Sequence, residues 1–403
     1  MTKIAILKET KNPPDKRVAI TPCVAKQISE QFQNVELLVQ SSDIRCFADQ
    51  EYTQQGIKVQ ENVEDADILI GVKEVKAYTL LDNKTYLFFS HVAKKQPYNR
   101  NLLQTVLQKK ITLIDYEYLL NPKNVRVVAF GHWAGIVGAY NALKMLGIKT
   151  KQFALPAASD LKDLAELKQT VGTLRLLPTK ILITGEGRVA SGALEILSLL
   201  NLPKVSAYDF LHKTFDHAVV CQIGPQDYVK RKDGNDFDLA HFFAFPEMYE
   251  STFLPFTKAA ELYIPCHFWD NRSPRFITQT DMQAPDFSIK AIADVSCDLQ
   301  VPIASSIKAS TIAEPFYDYN PATGLEEKAF SSDKNVSVMA VDNLPGSLPR
   351  DASVDFASAL LKEVFPALFN SIDTDMIRNA TIAKNGKLTE RFAYLQDYVE
   401  NKH

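Results

Sequence analysis

Short apolar runs separated by stretches of helical periodicity organise the first 130 residues. Residues 4–7, 35–39, 68–72, 86–89 and 111–114 are compact blocks rich in Val, Ile, Leu and Phe, the pattern of strands buried on both faces. Between them, residues 23–31 and 99–108 repeat apolar positions at helical spacing. Alternation of this kind predicts a parallel sheet with crossover helices. A second region opens near GHWAGIVGAYNALKMLGIK, where Ala134, Gly135, Gly138 and Ala139 would let a helix pack closely on a neighbour. From Lys180 to about Ala309 the alternation resumes, with strands at VSAYDF, HAVVCQ and IADVSCD and a helix around 256–263. The last part predicts a strand over 336–341, a proline-punctuated turn, a helix over 356–369 capped at Asp351 or Ser353, and a tail helix over 388–398.

The stretch KILITGEGRVASGALEIL combines a strand, a tight turn and a helix start. Gly185 and Gly187 sit where the chain turns, and Ala190, Gly192 and Ala193 leave the helix start without bulk. Such a turn lets backbone N–H groups approach a pyrophosphate. Asp209, in VSAYDF, follows Gly187 by 22 residues and stands at the end of what reads as the next strand. A nucleotide-binding fold places its ribose-binding carboxylate there. The competing reading is a glycine-rich turn in an unrelated α/β sheet. The expected architecture is therefore α/β, with two Rossmann-like, doubly wound parallel-sheet domains and an interdomain cleft. Residues 1–130 with 330–403 would form a discontinuous substrate and catalytic domain, and residues 131–329 the nucleotide-binding one.

Size and composition narrow the classes. A chain of 403 residues, 46% hydrophobic and 23% charged, suits two or three globular domains. A net charge of −3 without basic runs argues against a nucleic-acid partner. The opening MTKIAILKET reads as a strand and not as a signal peptide, and no run approaches the roughly 18 apolar residues of a membrane span. The five cysteines (Cys23, Cys46, Cys221, Cys266 and Cys297) form no CxxC pair and no zinc spacing. A cytoplasmic setting without a metal is expected.

Candidate chemistry gathers at predicted strand ends. KETKNPPDKRVAITP sets Lys8, Glu9, Lys11, Asp15 and Arg17 after the first strand, where parallel sheets build sites. Arg17 as a fork and Lys11 as a point charge could grip carboxylates, although a solvated charged loop has the same composition. Lys73 and Glu74 follow one further strand, and His91 with Lys94 another. A lysine and a histidine at adjacent strand ends can form an acid–base pair, because burial and nearby cations lower a lysine's pKa. Alone, His91 reads more readily as a structural cap than as a catalyst; Lys73 at an equivalent position brings the two readings level. Glu117 and Arg126 follow ITLIDYEYLL, and Glu117 is either a tuning group or a surface charge.

KET…RVAITP, GVKE, FSHVAK, YEYL…RVVAFGHWAG, GEGRVASGA, DVSCD, ASTIAEPFYDY and VDNLPGSLPRDAS occur in that order along the chain. Together they resemble the alanine dehydrogenase and transhydrogenase superfamily over nearly the whole length. Within it the chain is most similar to the lysine-forming saccharopine dehydrogenases and to the lysine–ketoglutarate reductase half of aminoadipic semialdehyde synthases; FWDNRSPRFIT looks more like the latter. FGHWAG and VDNLP separate this branch from alanine dehydrogenases, which carry a VANMP turn. The resemblance implies an NAD-dependent oxidoreductase that reversibly condenses lysine with 2-oxoglutarate through an imine. It implies small-molecule substrates and a monomer or small homo-oligomer.

By the same resemblance, Lys73 would take the amine proton, His91 would serve water addition and carbinolamine collapse, and Glu117 would tune both, with Lys94. Lys11, Arg17 and Arg126 would anchor carboxylates. Gly185, Gly187, Arg188 and Val189 would line the phosphates, Asp209 the ribose, and Asp298 the nicotinamide. Two departures stand out: Ala190 replaces a glycine of the turn, and His132 replaces an aromatic residue. Asp209 favours NAD over NADP, with Lys213 the residue that could accept a 2′-phosphate. The alternatives are an alanine-dehydrogenase-like or opine-type dehydrogenase, and a nucleotide-binding homologue without turnover.

Overall fold

A computed structural model describes residues 1–369 and 374–402. The chain forms two compact units, Met1–Phe130 with Pro349–His403, and Gly131–Leu348.

In the first unit the apolar runs become β1 (Thr2–Ile6), β2 (Val35–Gln40), β3 (Lys58–Gln60), β4 (Ile68–Lys73), β5 (Thr85–Phe89) and β6 (Thr112–Asp115). All pair in parallel, in the order β6-β5-β4-β1-β2-β3. The chain winds outward from β1 to β3, then returns to lay β4 on the other side of β1. The order therefore reverses between β1 and β4, the place where such sheets open a crevice at the strands' carboxyl ends. A hairpin of Thr381–Lys384 and Lys387–Leu388 extends the β6 edge in antiparallel sense. Ile6, Leu38, Ile70, Leu87 and Leu113 from five strands are buried in one core. β3 escapes a periodicity reading because it has only three residues, none of them fully buried.

The second unit repeats the plan. β7 (Lys180–Thr184) pairs with β8 (Val219–Ile223) on one side and with Leu262–Pro265 on the other, both in parallel. Ala291–Ala293 and Val336–Met339 continue the parallel order, and Phe316–Asn320 with Leu325–Glu327 closes it in antiparallel sense. Here the reversal falls beside β7. The Gly131–Thr150 helix crosses the Arg188–Ser198 helix with almost no side-chain spacing, since a Cβ on Gly135 would lie 1.9 Å from the Val189 carbonyl oxygen and one on Gly192 2.0 Å from that of His132.

Several expectations are corrected. Residues 330–348, expected with the first domain, belong to the second unit, because Val336–Met339 is an interior strand of its sheet. VSAYDF is not a strand. Lys204 makes one isolated bridge to Val220, then Ser206 accepts the Asp209 N–H at 3.1 Å and caps the Ala207–His212 helix. The strand next to β7 is β8. The helix expected over 356–369 already starts at Pro349, whose fixed φ suits a first helical position, and it passes through a π-turn at Leu360–Val364. Asp351 and Ser353 lie inside it, so neither is its cap. The helix expected around 256–263 ends at Ala259, before the strand at Leu262–Pro265. The tail helix is shorter than expected, a 3₁₀ segment Glu390–Leu395 followed by Gln396–Val399.

Candidate functional site

Four neighbouring parallel strands, β1, β4, β5 and β6, deliver the titratable groups of the first unit at their carboxyl ends. Parallel pairing makes all four ends point the same way, so groups distant in sequence meet. The segment after β1 supplies Glu9, Lys11, Asp15 and Arg17. β4 ends on Lys73 itself, with Glu74 next. His91 follows β5 and Glu117 follows β6.

Glu9 locks the first two ends together. Its carboxylate accepts the Val72 N–H at 2.6 Å and the Lys73 N–H at 3.0 Å. Burial pushes its pKa up to about 8 in spite of those donors. A Cβ on Gly71 would lie 3.4 Å from Glu9 Oε1, so a small residue there keeps the approach open. Arg17 is 2% exposed and forks onto Asp15, with Nε to Oδ1 at 3.0 Å and Nη2 to Oδ2 at 2.5 Å. Its guanidinium also lies 4.2 Å from the centre of the Phe130 ring. Burial opposes ionisation of Asp15, but the charge and hydrogen bonds of Arg17 outweigh it and hold the carboxyl at about 2.

Lys73 is the group this wall acts on. Burial, then the charges of Arg17 and Lys11, lower its pKa from 10.5 to about 8, against the opposing pull of Asp15 and Glu74. Glu74 lies between two basic side chains, with Oε1 3.3 Å from Lys11 Nζ and Oε2 3.6 Å from His91 Nδ1. Burial resists its ionisation, yet His91 and Lys11 keep its pKa below the usual value. His91 adopts a left-handed backbone, φ 54°, and its ring stacks on Phe89. A non-glycine residue in that region costs on the order of 1 kcal/mol or more, which the surrounding packing must offset. Glu117 faces Lys94 at 3.5 Å and Arg126 at 3.9 Å, and its carbonyl accepts from Arg126 Nε. Beneath it, Asp115 accepts the Ser90 and Glu117 N–H groups, which ties the ends of β5 and β6. Burial raises the Asp115 pKa.

Lys73, His91, Glu117, Lys11, Arg17, Lys94 and Arg126 thus all occupy these strand ends. Arg17 differs from expectation in being buried, whereas Lys11, Lys94 and Arg126 keep 35%, 52% and 38% of their side chains exposed. Glu74, Glu9 and Asp115 complete the network. The adjacency of Glu74 to Lys73 is a signal visible along the chain; Val72, which bonds Glu9, and Ser90, which bonds Asp115, lie 63 and 25 residues away and leave none.

The second unit has the opposite character. Gly185 has φ 101°, and a Cβ there would meet the Cys266 carbonyl oxygen at 2.6 Å, so only glycine fits the turn after β7. Gly187 caps the eleven-residue Arg188–Ser198 helix, and a Cβ on it would meet nothing within 4 Å. Backbone N–H groups at the helix N-terminus are therefore approachable, a cradle suited to the pyrophosphate of a dinucleotide. Arg188 and Val189 form the first turn of that helix. Asp298 lies in the loop after Ala291–Ala293, near Asp294, which is buried, accepts from Ser306 Oγ at 2.5 Å and is raised by burial to about 6. Asp209, expected at a strand end, instead pairs with Lys213 at 3.0 Å along its own short helix. His132, the departure from an aromatic residue, lies 2.8 Å from Glu195.

Two doubly wound α/β units, one bearing clustered acid–base groups and the other a glycine turn, define the class of fold. L-alanine dehydrogenase shares it, with a TM-score of 0.65, 16% sequence identity and 99% of each chain covered. The family described as alanine dehydrogenase/PNT, N-terminal domain, matches residues 5–137. Rat "Alpha-aminoadipic semialdehyde synthase, mitochondrial" is 28% identical over 99% of this chain and 48% of its own length. Neurospora crassa "Saccharopine dehydrogenase [NAD(+), L-lysine-forming]" is 26% identical over 89% of this chain and 90% of its own. The chain thus resembles the saccharopine branch suggested by its motifs, and spans about half the length of the synthases it matches. Among the described residues, no helix is long and apolar enough to cross a membrane.

Proposed function

We propose that this chain is a nicotinamide-nucleotide-dependent oxidoreductase of the lysine-forming saccharopine dehydrogenase type. The reaction is lysine plus 2-oxoglutarate plus NADH and a proton giving saccharopine, NAD and water, reversibly. The observation that carries the reading is Lys73, a half-buried lysine at the end of β4 whose pKa stands at about 8. An ordinary lysine is almost wholly protonated near neutrality, so a lowered value is what a general base for an amine needs. Similarity to the fungal saccharopine dehydrogenases over most of both chains supports the choice of substrate.

The nicotinamide nucleotide, when bound, supplies or accepts the hydride. Lys73 takes the proton of the secondary amine in the oxidative direction and returns it in the reductive one. His91, held by Glu74, moves the protons of water addition and carbinolamine collapse. Glu74 and Glu117 offset the positive charge that gathers among Lys11, Lys73, Lys94 and Arg126. The exposed Lys11, Lys94 and Arg126 meet the substrate carboxylates. Arg17 acts from the buried wall, lowering the Lys73 pKa and orienting the segment that carries Lys11. In the second unit, the Gly185–Gly187 turn and the first N–H groups of its helix hold the pyrophosphate. By the family resemblance, Asp298 would lie near the nicotinamide.

The test is oxidation of the reduced nucleotide with lysine and 2-oxoglutarate together, each alone, and pyruvate with ammonia. Turnover only with the lysine pair is expected. Turnover with pyruvate and ammonia in its place would assign the chain to small-substrate amino-acid dehydrogenation and overturn this reading.

A further inference from the structure

The turn after β7 carries an acid, Glu186, between its two glycines. β8 ends at Ile223, and the next residue, Gly224, has no side chain. A Cβ on Gly224 would lie 2.6 Å from Glu186 Oε2 and 2.6 Å from the Gln226 amide atoms. The Glu186 carboxylate therefore occupies the space that a side chain at the end of β8 would fill. Two hydrogen bonds pin the turn in this place. Gly185 N–H donates to the Ile223 carbonyl at 2.9 Å, and Gln222 Nε2 donates to the Gly185 carbonyl at 2.8 Å. Asp227 accepts the Gly224 N–H at 2.9 Å and fixes the far side. The nearby cation Lys204 donates to Gln222 Oε1.

In a doubly wound nucleotide-binding sheet, the strand beside the glycine turn ends on the acid that takes the ribose hydroxyls, and an arginine there admits a 2′-phosphate instead. β8 is that strand, and it ends on glycine. We propose that Glu186, from within the glycine turn, reads the adenosine ribose in place of a strand-end acid and so selects NAD(H) over NADP(H). Its two oxygens accept from the ribose hydroxyls, with the Gln226 amide beside them. A 2′-phosphate, carrying a charge of about −1.5 to −2, would meet this carboxylate and be repelled. The inference rests on the nucleotide-dependent reading above and adds to it the residue that sets cofactor choice.

The experiment is fluorescence titration of the full chain with NADH and with NADPH, using wild type, Glu186→Gln and Asp209→Asn. Glu186 is exposed, so its substitution leaves folding intact. Wild type is expected to bind NADH at least tenfold more tightly than NADPH, and Glu186→Gln to narrow that ratio by about tenfold, the scale of one charged hydrogen bond. Both nucleotides binding with a ratio that Glu186→Gln does not move, or a ratio that moves with Asp209→Asn instead, overturns the inference and leaves the oxidoreductase reading standing. Failure of folded wild type to bind either nucleotide overturns both.

Discussion

The two units share one winding plan and use it for opposite purposes. In the first, the strand ends beside the reversal of order carry Glu9, Lys11, Lys73 and Glu74, those of the next two strands carry His91 and Glu117, and the chemistry lies in side chains. In the second, the equivalent place carries Gly185 and Gly187, and what matters is the lack of side chains. Acid–base work needs groups whose proton affinity is moved by burial and by neighbouring charge. Grip on a pyrophosphate needs backbone N–H groups that nothing obstructs. A substitution should therefore fail differently in the two units: by proton transfer in one and by backbone access or packing in the other.

The largest effect is expected at Lys73. Lys73→Met should lower turnover by about two orders of magnitude or more while nucleotide affinity barely changes. Steady-state rates beside a nucleotide titration check this, and near-normal turnover would remove Lys73 from the mechanism.

Two glycines sharpen the second half of the comparison. Gly192→Ala would drive a Cβ to 2.0 Å from the His132 carbonyl oxygen, where only backbone can yield. A loss of about 1–3 kcal/mol is expected, read as a lower denaturation midpoint. Gly187→Ala has open space and an ordinary φ of −89°, so stability should hold while NADH binding weakens. If both variants lost stability equally, the distinction between packing and access would fail.

A smaller effect is expected from Glu74→Gln. In amine oxidation Lys73 acts in its neutral form, so activity rises as pH climbs through its pKa, near 8. The Glu74 charge raises that pKa, so its removal should move the acid limb of the kcat/KM profile to lower pH. Lys11→Met removes a cation that lowers it and should move the same limb to higher pH. Shifts in one direction for both variants would show that the two charges do not act through Lys73. The smallest change belongs to Asp209→Ala, which removes an exposed ion pair on one helix face and should cost no more than about 0.5 kcal/mol in a denaturation curve.

Much of this plan is legible in the chain because a strand buried on both faces is written as an uninterrupted apolar run. β1, β2, β4, β5, β6 and β7 all announce themselves that way. VSAYDF misleads for a definite reason: its apolar residues mimic a strand, while Ser206 followed three residues later by Asp209 is the signature of a helix start. Lys73, His91 and Glu117 are recognisable as strand-end residues from the apolar runs that precede them. What linear sequence does not carry is partnership across the sheet. That Glu9 joins β1 to β4, and that Glu186 fills the space beside Gly224, depend on which strands lie side by side.

Burial and two neighbouring cations prime Lys73 as a base, and its own titration tests this central claim most directly. The rate at which an amine-reactive reagent modifies Lys73 can be followed against pH by peptide mass spectrometry. A midpoint at about 8 is expected, moving downward in Glu74→Gln. A midpoint at the ordinary lysine value of about 10.4 would contradict the claim.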